Sequence, residues 1–385
     1  MIIPPANRTT QVKEYYFSKK LAEVRQMQSQ GKDVINLAIG SPDLPPAFEV
    51  IHKACESIQD PSNHGYQSYS GLPELKTAIA DWMLKKYDVA VEGKNDILPL
   101  IGSKEGITHI SLAFLNEGDE VLVPELCYPA YGAVAEMCGA KVVRFPLVED
   151  KGWEPDWEFL QSYDYSKVKI VWINYPHMPT GTAGSESILT RFVELAKNKK
   201  FLLCHDNPYS FILPHSTPQS IFNIPGSYEV ALELNSMSKT FNMAGWRIGW
   251  IAGRKDYLQQ ILKVKSNVDS GMFKPLMLAA IEALKLGDKW YNDLNKIYSQ
   301  RREMAFSILN HLNCHYDEKQ QGMFVWAKIS EKATSSEELV EDLLQNHHIF
   351  ITPGFIFGEK GNSYIRISLC NDIQLFERAL NRLKS

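Results

Sequence analysis

VALELNSMSKTFNMAGWRIGWIA, residues 230–252, decides the architecture. The apolar run Val230 to Leu234 predicts a buried strand. It runs into Asn235-Ser236-Met237-Ser238-Lys239-Thr240, and Gly245-Trp246-Arg247-Ile248-Gly249 then leads into a second β-rich run, Arg247 to Ala252. Open α/β sheets bind ligands beyond the carboxyl ends of their strands. Two hydroxyls, a lysine and an arginine between glycines at such a strand end can hold a phosphate while leaving one amine free to react.

Working outward, further short β-rich runs alternate with amphipathic segments from about residue 95 to 255. The strands are Ile97 to Ile101, Glu120 to Val123, Lys141 to Phe145, Val168 to Ile173 and Phe201 to His205, and Lys104 to Leu115, Ala130 to Cys138 and Glu186 to Lys199 read as helices between them. This rhythm predicts an α/β fold with a mostly parallel seven-stranded sheet and crossover helices. Beyond residue 255 the texture becomes helical, with Lys255 to Val268 and a periodic run from Pro275 to Leu312. Three β-like pieces (Met323 to Lys328, Ile349 to Thr352, Tyr364 to Ile367) and helices at Ser336 to Asn346 and Asp372 to Leu383 then give a small α+β domain. A helix from Val12 to Gln30, stopped by Gly31, is expected to pack with that C-terminal part. The expected division is a large domain, 40–284, and a small domain built from both termini, 1–39 and 285–385.

The chain has 385 residues, 44% hydrophobic and 22% charged, enough to bury a large core, which excludes disorder and fibrous repeats. Lys plus Arg is 41 against 45 for Asp plus Glu, with no long run of like charge, so neither nucleic acid nor an anionic membrane is expected as a partner. No apolar run reaches spanning length and the N-terminus turns polar at once, which points to a cytoplasmic protein. The six cysteines are scattered, without the close pairs of a metal knuckle.

Other strand ends carry chemistry as well. Gly102-Ser103-Lys104-Glu105-Gly106 opens a helix whose free N–H groups suit an anion, although an ordinary N-cap at Ser103 is the simpler reading of that turn alone. His205 is followed by Asp206-Asn207-Pro208-Tyr209, where a lone Asp is usually a turn or cap. Ser236-Met237-Ser238-Lys239 also matches the Ser-x-x-Lys of acyl enzymes, but the other motifs of that set are missing. His311 and His315 have helical ligand spacing, with Leu312 where a metalloprotease needs Glu, and no metal site is expected.

Taken together, these residues resemble the class I/II pyridoxal-phosphate aminotransferases of fold type I, over nearly the whole chain. The string from Ser236 to Gly249 carries the resemblance. The branch containing LL-diaminopimelate aminotransferase is closest in look, through residues 102–106 and Asn267-Val268-Asp269-Ser270-Gly271. The resemblance implies pyridoxal 5'-phosphate as cofactor and transfer of an amino group between an L-amino acid and a 2-oxo acid by a ping-pong cycle. It makes Lys239 the Schiff-base lysine, Asp206 the partner of the pyridinium nitrogen, Tyr209 the phenol at O3′ and Tyr128 the ring that stacks on the pyridine. Phosphate contacts are implied for Ser103, Lys104, Ser236, Ser238 and Arg247, with Tyr66 reaching in from the second subunit of a homodimer. Arg366 is implied as the fork that grips the α-carboxylate, with Gly40, Tyr15 and the neighbour's Asn267 on the substrate side. A lyase or decarboxylase on the same fold, and a regulatory protein that only binds the cofactor, are the alternatives. Where the family reads Asn-Pro-Thr-Gly, this chain reads Met178-Pro179-Thr180-Gly181, so a donor to O3′ is missing unless His177 or a water substitutes.

Overall fold

The computed structural model describes residues 2–11, 16–331 and 333–385. Seven strands form one sheet: β1 (Ile97–Leu100), β2 (Glu120–Pro124), β3 (Lys141–Phe145), β4 (Val168–Asn174), β5 (Leu202–Asp206), β6 (Ala231–Ser236) and β7 (Gly249–Gly253), in the order β1-β7-β6-β5-β4-β2-β3. Neighbours from β3 to β6 are parallel, and β7 is antiparallel to both β6 and β1. The reversal has a local cause: β6 returns as β7 without a long crossover helix, and a parallel return needs one. Strands β1, β2, β5, β6 and β7 are buried throughout. Strands buried along their whole length mark a sheet covered on both faces. Among the covering helices, Glu186–Lys199 starts where Ser185 Oγ accepts from the Ile188 N–H at 3.2 Å, and ends at Lys200 in a left-handed turn.

Arg247, read as the first residue of a strand, instead lies before β7 with φ 56°. The periodic run from Pro275 to Leu312 is two helices, Lys274–Leu284 and Asp288–His311, parted just before the second by Gly287. Of the N-terminal helix, Tyr16–Ser29 is helical, and Val12 to Tyr15 lie outside the described residues.

The C-terminal part holds a four-stranded antiparallel sheet in the order His315–Tyr316, Phe324–Lys328, Tyr364–Ser368, Thr352–Pro353. Ile35–Asn36 pairs in parallel with Ile349–Phe350, so the two ends of the chain meet. Helix Tyr16–Ser29 adds to that junction: Lys20 pairs with Glu341, and Gln345 donates to Glu23 at 2.9 Å.

Candidate active site

A cavity of about 520 Å³ opens at the carboxyl ends of β1, β5 and β6, closed on its other side by the small sheet. Gly40, Ser103, Lys104, Tyr128, Asp206, Tyr209, Ser236, Ser238, Lys239, Arg247 and Arg366 all line it. Residues spread over most of the sequence thus converge because parallel strands deliver their ends to one edge of the sheet.

After β6, Ser236 Oγ accepts from the Ser238 N–H at 3.1 Å and caps a single helical turn, Met237–Thr240, which carries Lys239. Ser236 therefore serves the backbone, and Lys239 Nζ donates to the Gly40 carbonyl at 2.5 Å rather than to a serine, which removes the acyl-enzyme reading. Gly102 has φ 77° and a Cβ there would strike the Arg247 guanidinium, so the turn after β1 needs glycine twice over. That contact brings Arg247 against the start of helix Ser103–Phe114, whose first N–H groups face the same space.

Asp206 ends β5 and is 6% exposed. Its Oδ2 accepts from the Tyr131 hydroxyl at 2.6 Å, whereas its Oδ1 is buried with no hydrogen-bond partner among the described residues. Burial raises the Asp206 pKa to about 6, against the opposing pull of the Tyr131 hydrogen bond, His205 and Lys239. Lys239 is shifted the other way: burial lowers its pKa, Cys370 and Asp206 oppose, and Arg366 and Arg247 add to the lowering. Tyr209 keeps its proton, since burial pushes its phenol far above the ordinary range. A buried acceptor awaiting a donor, a lysine drawn toward its neutral form, and hydroxyls with an arginine around a helix N-terminus fit the ring nitrogen, the carbonyl and the phosphate of pyridoxal phosphate.

Arg366 projects from the strand Tyr364–Ser368, is 5% exposed, and lies between the rings of Phe324 and Phe357, 3.8 and 4.7 Å from their centroids. Its Nη2 donates to the Ala38 carbonyl at 3.1 Å and its Nη1 to Met178 Sδ at 3.4 Å. The anomalous methionine therefore lies against the arginine. His177 does not replace the missing donor: its Nδ1 is bonded to Thr180 Oγ1 at 2.8 Å, and it is not among the cavity's lining residues.

Some expected residues lie elsewhere. Tyr66 is 94% exposed, and Asn267 is exposed with its amide donating to Lys263 O at 2.8 Å. Neither lines the cavity of its own chain. Their segments touch each other, with Gly271 packed on the main-chain oxygens of Gln67 and Ser68. Tyr15 falls outside the described residues. His311 Nε2 donates to Leu383 O at 2.9 Å, an ordinary structural role. Glu105, His109 and Asp269 cluster as metal ligands would, but Lys265 Nζ already sits 3.2 Å from Glu105 and 2.6 Å from Asp269.

Sequence reading missed two partners of Asp206. Tyr131 lies in the first turn of the helix Ala130–Met137, just after Tyr128, and its ring packs edge-on against Tyr128 at 5.8 Å. His205 was hidden because its partners are remote. One ring nitrogen meets Glu233 at 3.0 Å and the other the Tyr175 carbonyl at 3.2 Å. Glu233 also accepts from Ser220 Oγ, the Ile221 N–H and Asn235 Nδ2, at 2.9, 2.7 and 2.9 Å. The imidazole is thus held from both ring nitrogens beside Asp206.

The family profile described as aminotransferase class I and II matches residues 32–383. An LL-diaminopimelate aminotransferase from Halothermothrix orenii is 35% identical over 381 residues, covering 99% of this chain and 98% of that protein. One from Maridesulfovibrio salexigens is 37% identical over 383 residues, 98% of each. Among solved structures, substrate-bound BacF from Bacillus subtilis is 30% identical with a TM-score of 0.94, over 100% of this chain and 98% of that one. The chain therefore belongs to the class I and II aminotransferases, enzymes that use pyridoxal phosphate to move amino groups.

Proposed function

We propose that this aminotransferase works in the cavity at the strand ends, with Lys239 as the catalytic amine, and that the observation carrying the assignment is the enclosure of Lys239, Asp206 and Arg366 in one space. When bound, pyridoxal phosphate supplies an electrophilic carbonyl and a ring that withdraws electrons from the amino acid's Cα. Ser103, Ser236, Ser238, Arg247 and the N–H groups at the start of helix Ser103–Phe114 would hold its phosphate. Asp206 Oδ1 would accept from the ring nitrogen, while Tyr131 holds the other carboxylate oxygen in place. Tyr209, a phenol that holds its proton, would donate to the ring hydroxyl, and Tyr128 would cover the ring face. Arg366 takes the α-carboxylate on its planar fork. Lys239, with a lowered pKa, can accept and return a proton at Cα.

In this reading residues 40–284 carry the cofactor and residues 1–39 with 285–385 carry the carboxylate grip. Two copies share each site. Phe48, Ile51, Tyr66, Val268 and Phe273 are exposed and apolar or aromatic, as a surface covered by a second copy would be. No helix among the described residues is long and apolar enough to cross a membrane, and a cytoplasmic setting suits the reduced cysteines.

Two expected results test the reading. Mixing inactive Lys239→Ala with impaired Tyr66→Phe chains should restore part of the activity, because some hybrid sites draw both residues from intact copies. No recovery after proven subunit exchange would exclude a shared site. Arg366→Ala should weaken amino-acid binding by at least about tenfold, as loss of a charge-assisted hydrogen bond implies, with cofactor absorbance nearly intact. Equal affinity in both proteins would assign the carboxylate to another residue.

A further inference from the structure

The machinery above is indifferent to the side chain of the amino donor, so the donor's identity must come from the remaining wall. That wall is apolar. Phe17 and Leu21 come from one face of helix Tyr16–Ser29, Ile39 from the segment after Ile35–Asn36, and Phe324 and Phe357 from either side of Arg366. Among the described residues lining the cavity, Asp206 is the one acid, and its Oδ2 is bonded to Tyr131. The segments expected from a neighbouring copy add no free acid. Residues 64–72 contain none, and in residues 267–271 Asp269 is held by Lys265 at 2.6 Å. Asp43, on the loop beyond Ser41, is paired with Arg301 through two contacts of 2.7 Å.

On the basis of the aminotransferase reading, we infer that the amino donor carries an apolar side chain of leucine to phenylalanine size, and that donors with a distal ammonium, such as LL-diaminopimelate or lysine, are rejected. A distal ammonium entering this wall loses water and meets no free carboxylate among the described residues, a penalty that none of their contacts offsets. Lys104 makes the penalty worse. Its Nζ stands 6.0 Å from the centre of the Tyr128 ring, where it repels a second cation but can receive the distal carboxylate of a dicarboxylic 2-oxo acid acceptor. The expected specificity thus separates this chain from the relatives named for LL-diaminopimelate.

The test uses the wild-type holoenzyme. Half-reaction rates, followed by the absorbance change as the cofactor takes up the amino group, give kcat/KM for L-phenylalanine, L-leucine and L-methionine against LL-diaminopimelate and L-lysine. A preference of at least about 100-fold for the best apolar donor is expected, from burial of the side chain and exclusion of the ammonium together. Calorimetric titration with two unreactive carboxylates, 3-phenylpropionate and 6-aminohexanoate, should show the first binding at least about tenfold more tightly. Comparable or better turnover of LL-diaminopimelate or lysine would overturn the specificity and leave the transaminase intact. Failure of every amino acid to convert the cofactor would overturn the transaminase reading and the inference with it.

Discussion

Lys239→Ala is expected to lower kcat by at least about 10⁴-fold, because the substitution removes both the covalent anchor of the cofactor and the base at Cα, and a positioned base alone contributes about 10²–10⁴-fold. In the proposed reading this amine is Lys239 and not Lys104, which also lines the cavity. Lys239 sits on a capped turn at the end of β6, its amine held by the Gly40 carbonyl, in a setting that lowers its pKa. Lys104 instead lies beside Tyr128, its Nζ 6.0 Å from the ring centre. Borohydride reduction of the holoenzyme followed by peptide mapping should find the pyridoxyl group on Lys239. An adduct on another lysine, or an alanine variant within tenfold of wild-type activity, would refute the assignment.

Asp206→Ala is expected to cost on the order of 10³-fold in kcat/KM, the scale of leaving a buried charge without its partner. The carboxylate has one oxygen on Tyr131 and the other buried with no partner among the described residues, so a ring N–H would complement Oδ1. The same group gives a signed pH effect. With a pKa raised to about 6, Asp206 is charged above that pH and becomes neutral as the pH falls through it. Cofactor affinity of the wild-type protein should therefore fall below about pH 6 more steeply than that of Asp206→Ala. The phosphate's own second proton, lost near pH 6, weighs on both proteins alike, so the difference between the two profiles isolates the carboxylate. Identical profiles would remove Asp206 from the pairing.

The strand ends were legible in the sequence because their signals are local. A short apolar run followed by glycine and hydroxyls reads as strand, turn and helix start within a dozen or so residues, and Ser103, Asp206, Ser236, Ser238 and Lys239 all lie at such places. Boundaries moved by only a few residues. Arg247 reads as strand in the sequence but ends the turn Ala244–Trp246 in a left-handed conformation, with its guanidinium packed on the remote Gly102, which no local pattern reports. The break at Gly287 was passed over because apolar periodicity resumes in Asp288–His311.

The sequence by itself determined the order of strands and helices, the chemical types at the strand ends and the anomaly at Met178. The tertiary structure alone decided what those residues do to one another. Tyr131 and Asp206 are 75 residues apart, Met178 and Arg366 are 188, and Lys239 and Gly40 are 199. The apolar wall likewise joins an N-terminal helix to rings of the C-terminal sheet. Periodicity and turn propensity act over a few residues, whereas burial, charge neighbours and cavity shape arise only when remote segments pack, and those set the lowered pKa of Lys239, the raised pKa of Asp206 and the lining of the donor pocket.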